Sequence, residues 1–493
     1  MRRILFLCTF LYEAYEASAL TISVVGGGTS GIFAALWAAS HRTSSVADKD
    51  VQIKVFESTD AILRAMGSNA GGGVLHDTSK KPRELLSLGY PRRRKEITSL
   101  LTKQFPPTEQ QRWFEHRGVT FVTQADGSMI PNDDSDDASK NSVVDALAKE
   151  AESHGITILT NSKVASISRN EEGDKFYLST NKCTGSNGVT ADGVDECDVV
   201  ILATGNSRIG HNIAKTLGHA IIEPVRSCFG LKLKTDQLDL PCGQTYHFPH
   251  VRLSYKVKVE GQKRPRVLKS EGPVELTVRE DDSIILSGLA TLSLTSIAAY
   301  ELKGRGCEGQ ILMHCCPDLF GGKVEKLYEC LWQHRQDHPR ELVGAKCPLV
   351  HRFTDYDSYD FETDSFRVVE SAYVPPAVWE EMVIQCGATA IATWGKLSPK
   401  KVRALADAIV SFPLEFKGRH TATDGSFINA GGVALNEVDM TTLKSKVADG
   451  LYFCGQILDG DASYVTFNTM RDLAMGRMAG VHAADALVGH EEV

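Results

Sequence analysis

The stretch LTISVVGGGTSGI, Leu20 to Ile32, decides the expected fold of this chain. Its first six residues are apolar and rich in β-branched side chains, which predicts a strand. The glycines that follow keep the G-x-G-x-x-G spacing at Gly26, Gly28 and Gly31, and an Ala-rich helical pattern comes next. Such a strand–turn–helix unit is typical of dinucleotide binding. The glycines allow a pyrophosphate to approach, and the helix N-terminus presents free N–H groups to it.

A second predicted strand, Val51 to Val55, leads to Glu57, where a carboxylate that binds the adenosine ribose is expected. Glu57 lies 26 residues after Gly31, whereas the usual spacing is about 20. The polar segment Thr43 to Asp50 accounts for the excess. The alternative interpretation is a glycine turn in an ordinary α/β protein, followed by an unrelated glutamate.

The composition predicts a soluble globular protein with room for two or three domains. The chain has 493 residues, of which 42% are apolar and 24% charged, and its net charge is −8. A negative balance disfavours non-specific binding to nucleic acid. The basic run Arg92 to Lys95 is short and has acidic neighbours, so we expect it on a solvated face. We expect a small-molecule substrate, no nucleic-acid partner and no stable membrane insertion.

The first nineteen residues predict a signal peptide. Two arginines precede an apolar run, Ile4 to Tyr12, and Ala17-Ser18-Ala19 resembles a cleavage site. Cleavage after Ala19 would direct the protein to the secretory pathway or to an organelle reached through it. Glu13 and Glu16 near the cleavage site favour the alternative, which is a retained extension on a cytoplasmic protein.

The cysteine and histidine patterns predict no metal site. The twelve cysteines include no C-x-x-C pair, which argues against a zinc site or a redox dithiol. His247 and His250 have no matching acidic or cysteine partners in the sequence. The acidic loop around Asp133 lacks the glycine and the closing glutamate of a calcium loop.

The order of patterns along the chain predicts a split domain. Strands at 156–159, 164–167 and 198–202 continue the α/β pattern, and the last of them runs into Ala203-Thr204-Gly205. Strict alternation begins at Val251 and predicts an antiparallel meander, while the segment Asn181 to Asp195 is expected to be a polar loop. Glycine-rich α/β character returns at Ile428. The predicted fold is α/β: a Rossmann-like domain (20–210 plus 420–493), an inserted antiparallel β-rich domain (211–290) and a mostly helical subdomain (291–419).

Several longer motifs resemble one family, the BaiN-like, aminoacetone-oxidase-type group of NAD(P)/FAD-dependent flavoprotein oxidoreductases. The motifs are GGGTSG with Glu57, GGG at Gly71 to Gly73, YPR at Tyr90 to Arg92, VVILATGNS at Val199 to Ser207, LGHAIIEPVRS at Leu217 to Ser227, and NAGGVALNEVDMTTLKSKVADGLYFCGQILDGD at Asn429 to Asp461. The last block is long and specific. The resemblance covers nearly all of the segment from Leu20 to His482.

The resemblance implies non-covalently bound FAD and a set of residues that contact it. The implied contacts are Gly26, Gly28, Thr29, Ser30 and Gly31 with the pyrophosphate, Glu57 with the ribose, Val164 with adenine through its backbone, Thr204 and Gly205 on the cofactor's other side, and Gly455, Asp459 and Asn468 with the ribityl chain and flavin. Gly71, Gly72 and Gly73 permit a close backbone approach to the cofactor, although a flexible glycine loop is the alternative.

The chain departs from the family pattern on the flavin side. Val74-Leu75-His76 stands where the family has Arg-Cys-Asn, Gln456 where it has glutamate, and Val465-Thr466 where it has two glycines. The catalytic residues are therefore unknown from the sequence. His76 is the nearest candidate proton donor, because the pKa of histidine lies near physiological pH; a surface or structural histidine is the alternative.

The expected function is that of an FAD-dependent oxidoreductase, a reductase or oxidase of a small or medium-sized organic substrate. NAD(P)H as a transient reductant, or oxygen, is the expected redox partner, since no second G-x-G-x-x-G turn is present for a tightly bound nicotinamide nucleotide. One alternative is an FAD-binding protein with altered catalysis and an interaction role. Another is an RNA-modifying type of flavoprotein, which the net charge and the lack of a basic patch interleaved with aromatics disfavour. The oligomeric state is not predicted.

Overall fold

The computed structural model describes residues 20–45, 51–64, 74–124, 127–132, 142–170, 172–173, 175–184, 188–258, 263–360, 365–420, 428–463 and 465–488. The predicted signal peptide and the candidate loop Gly71 to Gly73 lie outside these residues. No helix in the described part of the chain is long and apolar enough to cross a membrane.

The strands form one parallel sheet, one barrel and four small sheets. In chain order they are β1 (Leu20–Val25), β2 (Val51–Phe56), β3 (Leu75–His76), β4 (Phe121–Thr123), β5 (Ser128–Pro131), β6 (Thr157–Leu159), β7 (Ser162–Arg169), β8 (Phe176–Thr184), β9 (Gly188–Cys197), β10 (Val199–Leu202), β11 (Ile221–Ser227), β12 (Gly230–Leu233), β13 (Thr245–Val257), β14 (Arg266–Val278), β15 (Ile284–Ser287), β16 (Glu308–His314), β17 (Val350–Asp360), β18 (Ser365–Ala372), β19 (Phe412–His420), β20 (Ile428–Val433) and β21 (Leu451–Phe453).

The helices cover the sheet and pack beside the barrel. In chain order they are α1 (Thr29–Ser45), α2 (Pro82–Gly89), α3 (Arg94–Ser99), α4 (Pro107–Glu115), α5 (Ser142–Ser153), α6 (Arg208–Thr216), α7 (Leu289–Ile297), α8 (Ala299–Gly304), α9 (Val324–Asp337), α10 (Pro376–Gln385), α11 (Pro399–Val410) and α12 (Val465–Val488). A π-helical turn, Leu100–Gln104, follows α3. Pro107 begins α4, as expected for a proline that cannot continue a preceding helix.

The first domain is built on a five-stranded parallel sheet in the order β21-β10-β1-β2-β6. The β-branched run at β1 lies in the centre of the sheet, paired with β2 on one side and β10 on the other. Both faces are covered, so its residues from Thr21 onward are buried. The edge strand β21 comes from the last tenth of the chain. This topology confirms the prediction of a Rossmann-like domain that is split between two chain segments.

Helix α12 packs directly along α1, with backbone against backbone at two points. A Cβ atom on Gly476 would lie 2.6 Å from the carbonyl oxygen of Ser30, and a Cβ atom on Gly480 would overlap the carbonyl oxygen of Ala34. No residue larger than glycine fits at either point unless the helices separate. The two glycines therefore allow the first and last helices of the domain to pack in direct backbone contact.

The insertion contains a closed six-stranded barrel, β12-β15-β14-β13-β16-β19. Its long hairpin, β13 with β14, shows the alternation of buried and exposed residues that the sequence predicts. Antiparallel pairing runs through all six strands. The predicted β-rich character of the insertion is confirmed.

Strands of the barrel alternate with helices along the chain. The sequence pattern instead predicted that the β-rich part ends at residue 290 and that a mostly helical part follows. Strands β16 and β19 lie within 291–419, the segment expected to be mostly helical, and they close the barrel. The expected polar loop from Asn181 to Asp195 is also wrong, because β8 and β9 form a hairpin there. Backbone hydrogen bonds to neighbouring strands stabilise both regions. The amino-acid composition of a segment does not show which strand it will pair with.

Replacing Gly480 by alanine tests the helix contact. We expect Gly480→Ala to lower the free energy of unfolding by about 1–3 kcal/mol, because the added methyl group overpacks the α1–α12 contact. Thermal denaturation followed by circular dichroism measures the effect. Gly304→Ala is the control, since a Cβ atom there meets nothing within 4 Å. Equal melting temperatures for the two variants would show that the contact tolerates a side chain.

Candidate functional site

The turn between β1 and α1 requires glycine at two of its positions. Gly26 has a φ of 113°, and its N–H donates to the carbonyl oxygen of Phe56 at 2.8 Å. A Cβ atom on Gly26 would collide with the carbonyl group of Ala203, and one on Gly31 would collide with the carbonyl oxygen of Gly26. These two glycines let the turn, the helix and β10 lie close together, as the sequence predicts.

Gly28 differs from these two glycines because it faces open space. A Cβ atom on Gly28 would have no neighbour within 4 Å, and its φ is outside the left-handed region. Helix α1 starts at the next residue, so Thr29 and Ser30 lie in its first turn. The unbonded N–H groups of this turn and the helix dipole favour an anion. An anion-favouring surface therefore lies at the turn where the sequence predicts the pyrophosphate.

Glu57 is held beside this turn at the end of β2. Its Oε2 accepts from the N–H of Gly27 at 2.8 Å, and its Oε1 accepts from the N–H and hydroxyl of Thr59 at 2.7 and 2.8 Å. The N–H of Ser162 donates to the carbonyl oxygen of Glu57 at 2.8 Å. This bond brings the start of β7 to Glu57, and the buried Val164 follows two residues later, just before a bulge. The expected adenosine contacts are therefore close together.

The segment after β10 supplies polar groups that lack partners. Gly205 is left-handed, with a φ of 56°. The hydroxyl oxygen of Thr204 is buried and has no hydrogen-bond partner among the described residues. The side-chain amide of Asn206 donates to Oε1 of Gln456 at 2.9 Å. Gln456, which replaces the family's glutamate, therefore joins the end of β10 to the segment after β21.

Gly455 brings the far end of the chain to the cofactor turn. It is left-handed, with a φ of 82°, and a Cβ atom on it would collide with the hydroxyl oxygen of Ser30. The preceding residue, Cys454, is buried, and its thiol lies 3.6 Å from the carbonyl oxygen of Ser30. Burial raises the pKa of this thiol, although its contact with Ser30 opposes the change. Cys454 is therefore a protonated packing residue rather than a nucleophile.

The carboxylate of Asp459 is not free, because it belongs to a buried network of ion pairs. Its Oδ1 accepts from Arg92 at 3.1 Å and from the N–H of Gly431 at 3.0 Å, and its Oδ2 accepts from Nε of Arg93 at 2.9 Å. Asp461 accepts from Arg92 at 2.8 Å. The side chains of Asp459 and Asp461 are 0% exposed and that of Arg92 is 16% exposed. The expected contact of Asp459 with the ribityl chain stays a prediction.

The network corrects the expectation of a solvated face for Arg92, whereas Arg94 and Lys95 of the same basic run are exposed as expected. Arg92 is mostly buried, and burial, the largest influence, opposes its charge, yet Asp461 and Asp459 raise its pKa. Its guanidinium also lies 5.4 Å from the centre of the Tyr300 ring. The sequence did not reveal this role because the carboxylate partners are more than 360 residues away along the chain.

The same network reaches into the insertion. The hydroxyl of Ser296, on α7, donates to Oδ2 of Asp461 at 2.6 Å. The thiol of Cys228, in the link between β11 and β12, donates to the carbonyl oxygen of Ala462 at 2.8 Å. Burial raises the pKa of Cys228, and the charge of Asp461 raises it further. Cys228 is therefore a neutral hydrogen-bond donor that fixes the link between the two domains.

Asn468, whose contact with the flavin stays a prediction, lies in a buried cluster at the start of α12. The side chain of Asn468 is buried and exchanges two 3.4 Å hydrogen bonds with the backbone of Ala462. The ring of Phe467 packs against His76, with 4.4 Å between ring centres, and its carbonyl oxygen accepts from the hydroxyl of Tyr90 at 2.6 Å. His76 is only 3% exposed. It is therefore not a surface histidine, and its role as a proton donor stays a prediction.

An unexpected charged pair lies one turn further along α12. Arg471 is 1% exposed, and its Nε and Nη2 donate to Oδ1 of Asp472 at 3.0 and 2.7 Å. Its Nη1 donates to the carbonyl oxygen of Gly460. Oδ1 of Asp472 also lies near the contact between Gly455 and Ser30. Burial raises the pKa of Asp472, and the charge of Arg471 opposes this. Sequence reasoning missed this pair, although charged residues in an otherwise apolar helix were a usable signal.

These residues fit a bound dinucleotide. The open space at Gly28, the helix N-terminus behind it and the ribose-side carboxylate of Glu57 suit the adenosine diphosphate part of FAD. The buried hydroxyl oxygens of Thr204 and Thr466 have no partner among the described residues. A buried polar group without a partner is costly, and a ligand that bonds to it removes that cost.

In the structure, the two histidines of β13 have carboxylate neighbours that the sequence did not suggest. His247 lies 3.5 Å from Glu275, and His250 lies within 4 Å of Glu271 and Asp318. Among the residues that the structure describes, no cluster of three or more His, Cys, Asp or Glu side chains is placed to hold a metal ion. These contacts are ordinary surface contacts between an imidazole and a carboxylate.

Comparison with known proteins identifies the family. The family described as "HI0933-like protein Rossmann domain" matches residues 20–482. A 3-dehydro-bile acid delta(4,6)-reductase from Clostridium scindens is 24% identical over 485 residues, which cover 94% of this chain and 99% of that protein. A ribosomal RNA dihydrouridine synthase from Escherichia coli is 23% identical over 327 residues, covering 66% of this chain and 67% of that protein.

Among solved structures, the 3-ketosteroid-delta4-(5alpha)-dehydrogenase from Rhodococcus jostii aligns over 94% of this chain and 97% of its own, with 12% identity and a TM-score of 0.46. The full-length family match agrees with the split sheet, the glycine turn and the C-terminal motif described above. The chain belongs to the HI0933-like family of FAD-binding Rossmann-domain proteins, and it is an FAD-dependent oxidoreductase.

Proposed function

We propose that the protein is a reductase of an apolar organic molecule of small or medium size, with NAD(P)H as a transient electron donor. The observation that carries the proposal is the turn from Gly26 to Gly31, against which Gly455 packs, in a chain that aligns over 94% of its length with a reductase. The 3-dehydro-bile acid of that relative is the first substrate to test. An oxidase that uses oxygen is the alternative within the same chemistry.

When bound, FAD supplies the electron transfer, and the chain supplies binding and orientation. The N-terminus of α1 and the open side of Gly28 bind the diphosphate, and Glu57 binds the ribose. Phe467, His76 and Tyr90 pack into a dry wall beside the start of α12. A dry, preorganised surrounding strengthens the electrostatic interactions of a reacting group.

The relative that acts on ribosomal RNA supports a second candidate function, an RNA-modifying flavoprotein. Two features of the chain weigh against it: the net charge of −8, and the smaller shared length, 66% of this chain. A non-catalytic FAD-binding protein is the third candidate, because the family pattern changes at His76, Gln456 and Thr466. For localisation, the N-terminal sequence supports the secretory pathway as our proposal, with the cytoplasm as its alternative.

Replacing Gly28 by valine tests the cofactor site. Because a Cβ atom on Gly28 meets no neighbour and the φ is not left-handed, Gly28→Val should leave the melting temperature of the apoprotein unchanged. The side chain occupies the space that the diphosphate needs, so we expect FAD affinity to fall by about two orders of magnitude or more. Fluorescence titration with FAD measures this loss.

Gly31→Ala is the matched control for this turn. Its Cβ atom would collide with the carbonyl oxygen of Gly26, so both melting temperature and FAD affinity should fall. Unchanged FAD affinity in Gly28→Val would place the diphosphate elsewhere, and the assignment of the turn would fail.

The pair Arg471–Asp472 should control FAD affinity through charge. Asp472 brings a negative charge close to Ser30, where the diphosphate is expected, and Arg471 compensates it. We expect Asp472→Asn to tighten FAD binding by roughly tenfold, because charges several ångströms apart near a protein surface interact by about 1–3 kcal/mol. Arg471→Met should weaken binding and also lower stability, since it leaves a buried carboxylate unpaired.

The pH dependence separates this electrostatic effect from a change in packing. Protonation removes the negative charge of Asp472, so FAD affinity should rise as the pH falls through its raised pKa. Above that pKa the carboxylate is charged and affinity is lower. The dependence should disappear in Asp472→Asn. A wild-type affinity that is flat with pH, together with an unchanged affinity in Asp472→Asn, would remove the pair from the cofactor site.

Anaerobic reduction tests the proposed electron donor. Protein loaded with FAD is mixed with NADH or NADPH in a stopped-flow instrument, and we expect the flavin absorbance to bleach within the turnover range of flavoenzymes, about 1–1000 per second. Addition of a 3-dehydro-bile acid should restore the absorbance without oxygen. Restoration by oxygen alone favours the oxidase, and no bleaching with either nucleotide contradicts NAD(P)H as donor.

A further inference from the structure

The end of the β13–β14 hairpin carries a concentration of positive charge that the oxidoreductase site does not use. The segment from Lys256 to Lys269 contains six basic residues and one acidic residue, Glu260. Its charge of +5, set against a chain total of −8, leaves the remainder of the chain at −13. The basic residues are Lys256, Lys258, Lys263, Arg264, Arg266 and Lys269, and all six are exposed. We call the exposed surface of residues 256–258 and 263–269 the basic hairpin end.

The basic hairpin end extends past the part of the hairpin that belongs to the closed barrel. The pairing between β13 and β16 stops at Tyr255 with Ile311, and β15 pairs with β14 only from Glu275 onward. At the hairpin end the two strands therefore pair only with each other, with Lys256 opposite Val267. The basic hairpin end is a two-stranded projection from the barrel.

One face of this projection is fixed to the protein. Val257 and Leu268 are buried, and the hydroxyl of Ser270 donates to the carbonyl oxygen of Ala290 at 2.6 Å. Arg266 pairs with Glu301 on α8 at 3.0 Å. These contacts hold the hairpin in place, so its opposite face is presented to solvent as a rigid surface.

The other five basic side chains have no carboxylate partner in the part of the chain that the structure describes. Among the described residues, none of Lys256, Lys258, Lys263, Arg264 and Lys269 forms an ion pair within 4.0 Å. Elsewhere on the surface many lysines and arginines are paired, as Lys234 with Glu415 and Lys326 with Glu329 are. Uncompensated charge of one sign attracts a partner of the opposite sign.

The chemistry of the basic hairpin end favours a lipid surface over a nucleic acid. Val267 is 42% exposed in the middle of the lysines, so the surface offers an apolar side chain together with positive charge. The segment from Lys256 to Lys269 contains no aromatic residue on which a base could stack. The negative charge of the remainder of the chain also disfavours wrapping by a long polyanion. Binding to a flat anionic surface requires contact with the projecting end alone.

We propose that the basic hairpin end docks the protein reversibly on membranes that contain anionic phospholipids. Clusters of four to eight basic residues bind such surfaces, and each residue contributes roughly a fivefold gain in partitioning. This peripheral contact requires no membrane-spanning segment. It is independent of the proposed substrate, because none of these residues belongs to the cofactor site.

Co-sedimentation of the full-length, FAD-loaded protein with vesicles tests the proposal. We expect binding to vesicles of phosphatidylcholine with phosphatidylserine, no binding to phosphatidylcholine alone, and release at high salt. The triple variant Lys256→Gln, Lys258→Gln, Lys269→Gln should lose roughly a hundredfold in partitioning. Val267→Ser should lose a smaller factor that salt does not change.

The matched control is the triple variant Lys103→Gln, Lys149→Gln, Lys400→Gln, which removes the same charge from exposed lysines on three other elements. It should bind vesicles like the wild type, and both triple variants should keep the wild-type melting temperature and FAD affinity. Equal losses of vesicle binding in both triple variants would show that net charge alone causes the binding, and the proposal would fail. Binding to duplex RNA but not to vesicles, abolished by the hairpin variant, would assign the surface to nucleic acid and overturn the proposal.

Discussion

The closeness of two helix backbones is the constraint on which the cofactor site depends. Glycines at 476 and 480 let α12 approach α1 until backbone atoms are in contact. This approach brings Cys454 to Ser30, although the two residues are 424 positions apart in the chain. Four strands of the parallel sheet and the whole insertion lie in the chain between these two helices. The site forms only after a contact of large sequence separation has been made, which is entropically costly and slow to nucleate.

The buried charges have an orienting role that follows from this constraint. A buried ion pair contributes little net stability, because desolvation offsets the attraction, yet removing one partner is strongly destabilising. Asp459 and Asp461 are each fixed by several donors, from the turn at Arg92, the strand before Gly432 and helix α7. Three separate segments therefore have to be in place together. The network makes the position of the insertion depend on the same loop that approaches Ser30.

Local patterns predicted the parts of the fold that depend on local interactions. The strand–turn–helix at the start and the alternating hairpin β13–β14 follow from the glycine spacing and from period two, and both are present. Barrel closure by β16 and β19 and the burial of Arg92 depend on partners far away in the chain, so local composition pointed the other way. The hairpin of β8 with β9 is local, but its polar composition concealed it. In the candidate site, the glycines were predicted from their spacing. The pair Arg92–Asp461 was not predicted, because its two residues are 369 positions apart in the chain. The pair Arg471–Asp472 was missed although its two charges are adjacent in the sequence.

The departures from the family pattern are partly compensated within this chain. Gln456 cannot carry the charge of the glutamate it replaces, but it accepts a hydrogen bond from Asn206 and keeps β10 and β21 joined. Thr466 is different, because it adds a buried hydroxyl where the family has glycine, and that hydroxyl has no partner among the described residues. An unsatisfied buried hydroxyl costs about 1–3 kcal/mol. A chain without a ligand would gain stability from alanine or glycine here, so the added hydroxyl favours a site that receives a polar group at the start of α12.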